Sequence, residues 1–292
     1  VKDMLAVIKL IRVRQWVKNL FIFIPSFFAG QIFEPGAVMP LLLGFLCFSL
    51  VASSIYVLND YRDREVDRIH PEKRNRPLAS GAVNLSTAWA VMMLFSIAGF
   101  FISYLLDPVF FWIIVAYFVM NVAYSMGLKH IPIVDLFIVS FGFLLRIYGG
   151  GAIANISITH WLSVMILLLA LFLIVAKRRD DILLQMENGN CLRKSSQSYN
   201  LEFINSCLTL ISAVVIVAYI MYTVSPEVTE RFESDNLFLT TVFVIAGMMR
   251  YLQITFVEKN SGSPTTIFIR DKFILLTIAG WIFSFYIIIY YA

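Results

Sequence analysis

The sequence predicts an all-α polytopic membrane protein of about nine transmembrane helices. Three observations carry that expectation. The 292 residues are 60% hydrophobic and only 14% charged, where a soluble domain carries about 25% charged residues. The apolar residues fall in runs of the length a helical bilayer crossing needs, about 20 residues. The bases are unevenly shared: with the N-terminus placed in the cytoplasm, nearly every Lys and Arg lies there or in the connections after spans two, four, six and eight, as the positive-inside rule requires.

The elements are expected in this order. Val1 to Arg14 reads as a short basic helix lying in the membrane interface. It has no small-residue cleavage site and so does not read as a cleavable signal. Span one is expected near Trp16 to Phe33, span two near Val38 to Leu58, span three near Leu85 to Leu106 and span four from Pro108 to Met126. The very short turn between spans three and four makes them antiparallel neighbours. Span five is expected over Ile131 to Ile153 and span six over His160 to Ala176, followed by a polar segment from Lys177 to Glu202. Phe203 to Val224, Asn236 to Val257 and Lys272 to Tyr290 complete the nine. The whole of 1–292 reads as a single transmembrane domain, without a clear repeat. The opposite loops hold Glu34, Asp107 and the acidic run Glu227, Glu230, Glu233 and Asp235, with Arg231 their one base.

One polar stretch interrupts the apolar chain: Asn59-Asp60-Tyr61-Arg62-Asp63-Arg64-Glu65-Val66-Asp67-Arg68. If the helix of span two runs on through it, Asn59, Asp63 and Asp67 stack four apart on one face with Asp60 beside them. Stacked carboxylates repel one another unless a cation sits on them, and oxygen ligands at this spacing suit Mg²⁺. The blander alternative is a solvated charged loop in which Arg62, Arg64 and Arg68 neutralise the acids. Lys73, Arg74 and Arg76 follow, so the stretch sets metal-binding acids beside bases able to take phosphate oxygens.

Other polar clusters fall on the same, cytoplasmic side. Arg14 and Lys18 are four apart and would share a helix face, for phosphate binding or for plain headgroup anchoring with Trp16. Tyr124 and Lys129 stand at the end of span four; His130 beside them reads as no ligand. Span five carries Asp135 and Arg146, eleven residues or about three turns apart and hence facing one way. An intramembrane Arg is expensive, and is either a site residue or the partner of an acid on another helix. Gly149-Gly150-Gly151 allows a close helix approach. Lys177-Arg178-Arg179-Asp180-Asp181 sets bases beside two carboxylates again, and Arg250-Tyr251 lies in span eight. The unpatterned Cys47, Cys191 and Cys207 suggest neither a disulfide framework nor a zinc site. No serine elbow, phosphate loop or zinc-spaced His pair is present.

These residues resemble the UbiA superfamily of intramembrane prenyltransferases. The resemblance rests on Asn-Asp-x-x-Asp-x-x-x-Asp at Asn59 to Asp67, on Tyr124-Ser125 and on the nine spans. Within the superfamily the chain is most similar to the decaprenyl-phosphate phosphoribosyltransferase branch. The details are Arg14-Gln15-Trp16-Val17-Lys18-Asn19, His70-Pro71 with Lys73, Arg76-Pro77, Leu128-Lys129-His130, Gly142 to Arg146, Lys177-Arg178-Arg179 and Arg250-Tyr251-Leu252. The resemblance implies a central cavity open to the cytoplasm, in the cytoplasmic (inner) membrane. It implies Mg²⁺ on Asn59, Asp60, Asp63 and Asp67, and transfer of 5-phosphoribose from phosphoribosyl diphosphate to a polyprenyl phosphate. Arg14, Lys18, Lys73, Arg76, Tyr124, Lys129, Asp135, Arg146, Lys177, Arg178, Arg179 and Asp181 are the expected substrate-binding residues. The chain departs from the pattern at Asp181, where a longer Glu is expected. It also lacks a second Asp-x-x-x-Asp of the kind prenyl-diphosphate users carry, which favours the phosphoribosyl branch. The rivals are an aromatic or quinone prenyltransferase of the same superfamily and an anion transporter; against the transporter, no paired broken helices occur in matching positions.

Overall fold

The computed structural model describes residues 2–69, 73–188, 198–258, 267 and 270–291. His70, Pro71 and Cys191 lie outside them. The described residues are mostly helical and contain no strand. They divide into two compact units, Val1–Lys129 with Gly142–Ile158, and His130–Phe141 with Thr159–Ala292.

The first unit opens with α1 (Lys2–Leu10), whose Met4, Leu5 and Ile8 are exposed while Leu10 is fully buried. Arg12 turns the chain through the left-handed region, and Val13–Phe23 then forms a 3₁₀ helix, followed by α2 (Ile24–Phe28). The segment expected as an unbroken first span is therefore built of two short helices. Pro25 sits in the first turn of α2, where its missing N–H costs nothing. The 3₁₀ geometry has a physical match in α3 (Val38–Arg62). Three residues of 3₁₀ helix rise about 6 Å, and four of α-helix rise about 6 Å as well. Trp16 and Asn19 accordingly meet Ser53 and Ser49 in turn, donating from Nε1 at 3.0 Å and Nδ2 at 2.9 Å. Farther along, Ile22 Cδ1 stands only 2.7 Å from where a Cβ on Gly44 would be.

α3 is the centre of this unit: 61% of its apolar window is buried, against 11% for α5 (Leu85–Leu106). α5 buries a stripe of small residues, Ala88, Gly99 and Ser103, with Gly99 against Val51 and Cys47 of α3, and leaves Leu94, Ile97, Phe101 and Leu105 exposed. That is how a lipid-facing helix packs when the solvent is as apolar as its side chains. α6 (Pro108–Met126) follows after the single residue Asp107, whose side chain accepts from the Phe110 N–H at 2.7 Å. α5 and α6 pack together, as the short turn predicts. The second half of α7 (Val134–Ala154) completes the unit, with Gly150 against the 3₁₀ helix: a Cβ there would meet the Ile22 carbonyl oxygen at 2.0 Å.

The second unit holds the first turns of α7, α8 (His160–Asn188), α9 (Leu201–Thr223), α10 (Pro226–Phe232), a 3₁₀ turn (Asn236–Thr240), α11 (Thr241–Phe256) and α12 (Lys272–Tyr291). α8 runs twelve residues beyond the Ala176 expected for span six. Nothing between Lys177 and Asn188 breaks a helix, and loss of hydropathy marks the end of a span rather than of a helix. Phe172 and Val175 of α8, Ile204 and Leu208 of α9, and Tyr251 of α11 form the core.

Among the described residues, seven helices are long and apolar enough to cross a membrane, with Lys272–Ile288 a shorter apolar one. The chain is a multi-pass integral membrane protein.

Candidate active site

In the first unit the aspartates stand where α3 ends. Asp63 closes that helix at φ −88°, and α4 (Arg64–Ile69) begins at once. The helical hydrogen bonds bridge the break, from Asp63 N to the Asn59 carbonyl at 3.0 Å and from Asp67 N to the Asp63 carbonyl at 2.8 Å. At 3.6 residues per turn, Asn59, Asp60, Asp63 and Asp67 thus fall within an arc of about 100°.

Their side chains divide into two pairs. Asp60 and Asp67, both nearly fully buried, share one guanidinium nitrogen: Arg76 Nη1 donates to them at 3.1 and 2.7 Å. Arg12 also donates to Asp60, and its guanidinium lies 5.0 Å over the Tyr56 ring. In the other pair Asn59 Nδ2 donates to Asp63 at 3.2 Å, and Lys129 Nζ donates to both residues. Three carboxylates are thereby balanced by three cations. Arg64 and Arg68, which the solvated-loop reading sets against the aspartates, instead bind the exposed Glu65.

The N-terminal bases are placed differently from the sequence reading. A 3₁₀ helix sets residues four apart about 120° from each other, so the exposed Arg14 and Lys18 do not stack on one face. Arg12 makes the ion pair instead. Only its left-handed conformation, φ 52°, sets it apart from its neighbours, and no sequence pattern signals that. Lys73 is half-buried in the short turn leading to Arg76, and Tyr124 is half-buried in the last turn of α6.

Arg146 is buried in this unit without a carboxylate partner among the described residues. Its Nε donates to Asn19 Oδ1 at 2.7 Å, Nη1 to the Gly142 carbonyl and Nη2 to the Tyr117 hydroxyl at 3.0 Å. The rings of Tyr117, Phe48 and Phe143 lie 4.8, 5.4 and 5.6 Å from the guanidinium carbon. Neutral acceptors and ring faces thus solvate a cation expected to need an anion. Asn19 is a residue whose part the sequence did not signal: it links Arg146 to Ser49.

The second unit has its own buried cluster. Asp135 is completely buried and accepts from Arg178 Nη2 at 2.7 Å. It also accepts from the Tyr199 hydroxyl at 3.3 Å, and that hydroxyl in turn accepts the N–H of Ile133. Burial pushes Tyr199 above its ordinary pKa, so it stays a donor. Ile133 is a β-branched residue at φ 67°, a conformation that persists only where its surroundings hold it. Arg178 Nη1 reaches Asp181 at 3.1 Å. Arg179, about 100° farther round the helix, turns to Asn205 of α9, and Lys177 is exposed.

Among the described residues no three of His, Cys, Asp and Glu stand close enough to hold a metal by themselves. The donor chemistry of the first cluster nevertheless fits Mg²⁺, which typically takes one or two carboxylates and completes its shell with water and phosphate oxygens. The Asp60–Asp67 pair supplies two carboxylates bridged by a single nitrogen.

Fold and cluster together define an integral membrane protein with a charge-balanced acidic site at one helix end. A model of the UbiA prenyltransferase family matches residues 20–178, and the chain belongs to that family. It is 32% identical over 286 residues to the decaprenyl-phosphate phosphoribosyltransferase of Mycolicibacterium smegmatis, covering 94% of this chain and 89% of that one. It is 29% identical over 289 residues to the enzyme of the same name from Corynebacterium glutamicum, covering 97% and 86%. A solved UbiA homolog from Archaeoglobus fulgidus, bound to DMAPP and Mg²⁺, shares the fold with a TM-score of 0.72 at 18% identity, over 98% of this chain and 99% of that one.

Proposed function

We propose that this protein transfers 5-phosphoribose from phosphoribosyl diphosphate to a polyprenyl phosphate, releasing diphosphate. The near-full-length similarity to the two phosphoribosyltransferases supports the choice of substrates. The observation that carries the site is the Asp60–Arg76–Asp67 bridge: acids able to hold a metal and a base able to hold phosphate, already side by side. The uneven sharing of Lys and Arg supports a cytoplasmic N-terminus and a site opening to that side.

Asn59, Asp60, Asp63 and Asp67 would hold Mg²⁺ at this site. When bound, the ion would offset the charge that builds on the leaving diphosphate. Arg12, Arg76 and Lys129 balance the aspartates now, and would turn towards phosphate oxygens as the donor enters. Arg12 and Arg76 are each about a quarter exposed, which leaves them free to move. Lys18, Lys73 and Arg14 add positive charge around the entrance. The C1–O bond to diphosphate breaks as an oxygen of the lipid phosphate bonds to C1. That oxygen is already anionic, so no side chain has to remove a proton from it. Arg146 would bear on the reaction by holding the 3₁₀ helix, and hence Arg12, in place. Asp135 would fix Arg178 in its orientation.

The test is transfer by the purified protein in nanodiscs with Mg²⁺. Label from ribose-labelled phosphoribosyl diphosphate should enter the lipid fraction only when polyprenyl phosphate is present. Label incorporated only from a prenyl diphosphate, into an aromatic acceptor, would replace this reading with the rival one.

A further inference from the structure

An open groove of about 640 Å³ lies on the second unit, lined by Arg179, Asn205, Ser206, Thr209, Leu210 and Phe256. Arg179 is 5% exposed. Its Nε donates to Asn205 Oδ1 at 2.9 Å, and its guanidinium lies 5.6 Å over the Phe256 ring. Its Nη1 is buried with no hydrogen-bond partner among the described residues. Leaving a charged donor so is costly unless an acceptor meets it. Asn205 has its oxygen turned to Arg179, which leaves its NH₂ end to donate. Ser206 and Thr209 spend their hydroxyl protons on carbonyls of their own helix, at 2.9 and 3.1 Å. The donors that remain are therefore the guanidinium and the carboxamide, a pairing that suits the oxygens of a phosphate.

The surroundings narrow the ligand. Asp180, next on the helix and itself buried, is in electrostatic contact with Arg179 and offsets part of its charge. A singly charged phosphodiester fits such a site better than a highly charged anion. Phe256 and the exposed Leu210 give the groove an apolar wall, which suits a ligand carrying hydrocarbon. We propose that this groove binds the phosphate group of an anionic membrane lipid, held by Arg179 and Asn205. The site belongs wholly to the second unit, and it gives Arg179 a role apart from the substrate binding that the resemblance implies for it.

The experiment follows thermal unfolding of the full chain in an uncharged detergent, with and without added ligand. Three probes are used: phosphatidylglycerol, inorganic phosphate and a diacylglycerol without phosphate. Phosphatidylglycerol should raise the Tm of the wild type by several degrees, and diacylglycerol should not. R179Q and N205A should each lose more than half of that rise, and native mass spectrometry should show at least a tenfold weaker retention of the lipid. N205A keeps the test decisive should R179Q fail to fold. An equal rise with inorganic phosphate would overturn the lipid as the source, leaving only a phosphate site. A rise that both variants keep in full, or that diacylglycerol matches, would overturn the proposal.

Discussion

Each unit buries an aspartate against arginine, but the two pairs are built differently. Asp135 is completely buried and so is its partner, with Arg178 3% exposed. Asp60 is buried almost as deeply, yet its partners Arg12 and Arg76 are 25% and 26% exposed, and it shares Arg76 with a second carboxylate. The first arrangement is closed on both sides. In the second, the acids are fixed while the cations can leave, and an anion that draws the cations off would free the carboxylates. How deeply an aspartate is buried therefore says less about its role than how firmly its partner is held.

The largest effect on stability is expected in the closed pair. Arg178→Met removes the cation from a completely buried carboxylate, and should cost about 3–5 kcal/mol. The double variant Arg178→Met with Asp135→Leu should regain most of the loss, since a buried pair replaced by apolar groups is often neutral. Thermal unfolding in detergent checks both; a double variant no more stable than the single one would break the contrast.

Overpacking at the 3₁₀ contact comes next. Gly150→Ala sets a Cβ against the Ile22 carbonyl and should cost about 1–3 kcal/mol, read as a fall in Tm. Arg146→Met leaves only neutral acceptors behind. It should therefore cost about 1–2 kcal/mol, clearly less than Arg178→Met. An equal loss in the two arginine variants would mean that partner charge is not what separates them. At the small end, Glu65→Gln should change neither Tm nor turnover, because Arg64 and Arg68 hold Glu65 at the exposed surface.

Much of this was legible in the sequence. The ends of α5 and α6 match the expected spans to the residue, because Asp107-Pro108 is an unmistakable helix start. The clustering of Asn59, Asp60, Asp63 and Asp67 followed from helical spacing alone. The 3₁₀ helix did not, since hydropathy counts apolar residues without reporting the rise per residue. That Arg12 and not Arg14 meets Asp60 was hidden as well, because it goes with the left-handed turn at Arg12, which no sequence pattern signals. The side-chain partners Asn19 and Tyr117 of Arg146 were illegible because they are neutral and distant in the chain. The pairing of Asp135 with Arg178 was illegible because the two stand 43 residues apart on different helices.

The claim that the open cluster serves the reaction and the closed one the fold is tested most directly on Asp67→Asn. Transfer of ribose label from phosphoribosyl diphosphate to polyprenyl phosphate is measured beside the Tm of the same preparation. Removing a carboxylate proposed to hold the metal should cost several kcal/mol of transition-state stabilisation, a fall on the order of 10²-fold or more in turnover. The Tm should fall only a few degrees, because Arg76 keeps Asp60 and can also reach solvent. A variant that keeps near-normal Mg²⁺-dependent transfer, or that loses its fold together with its activity, would contradict the account.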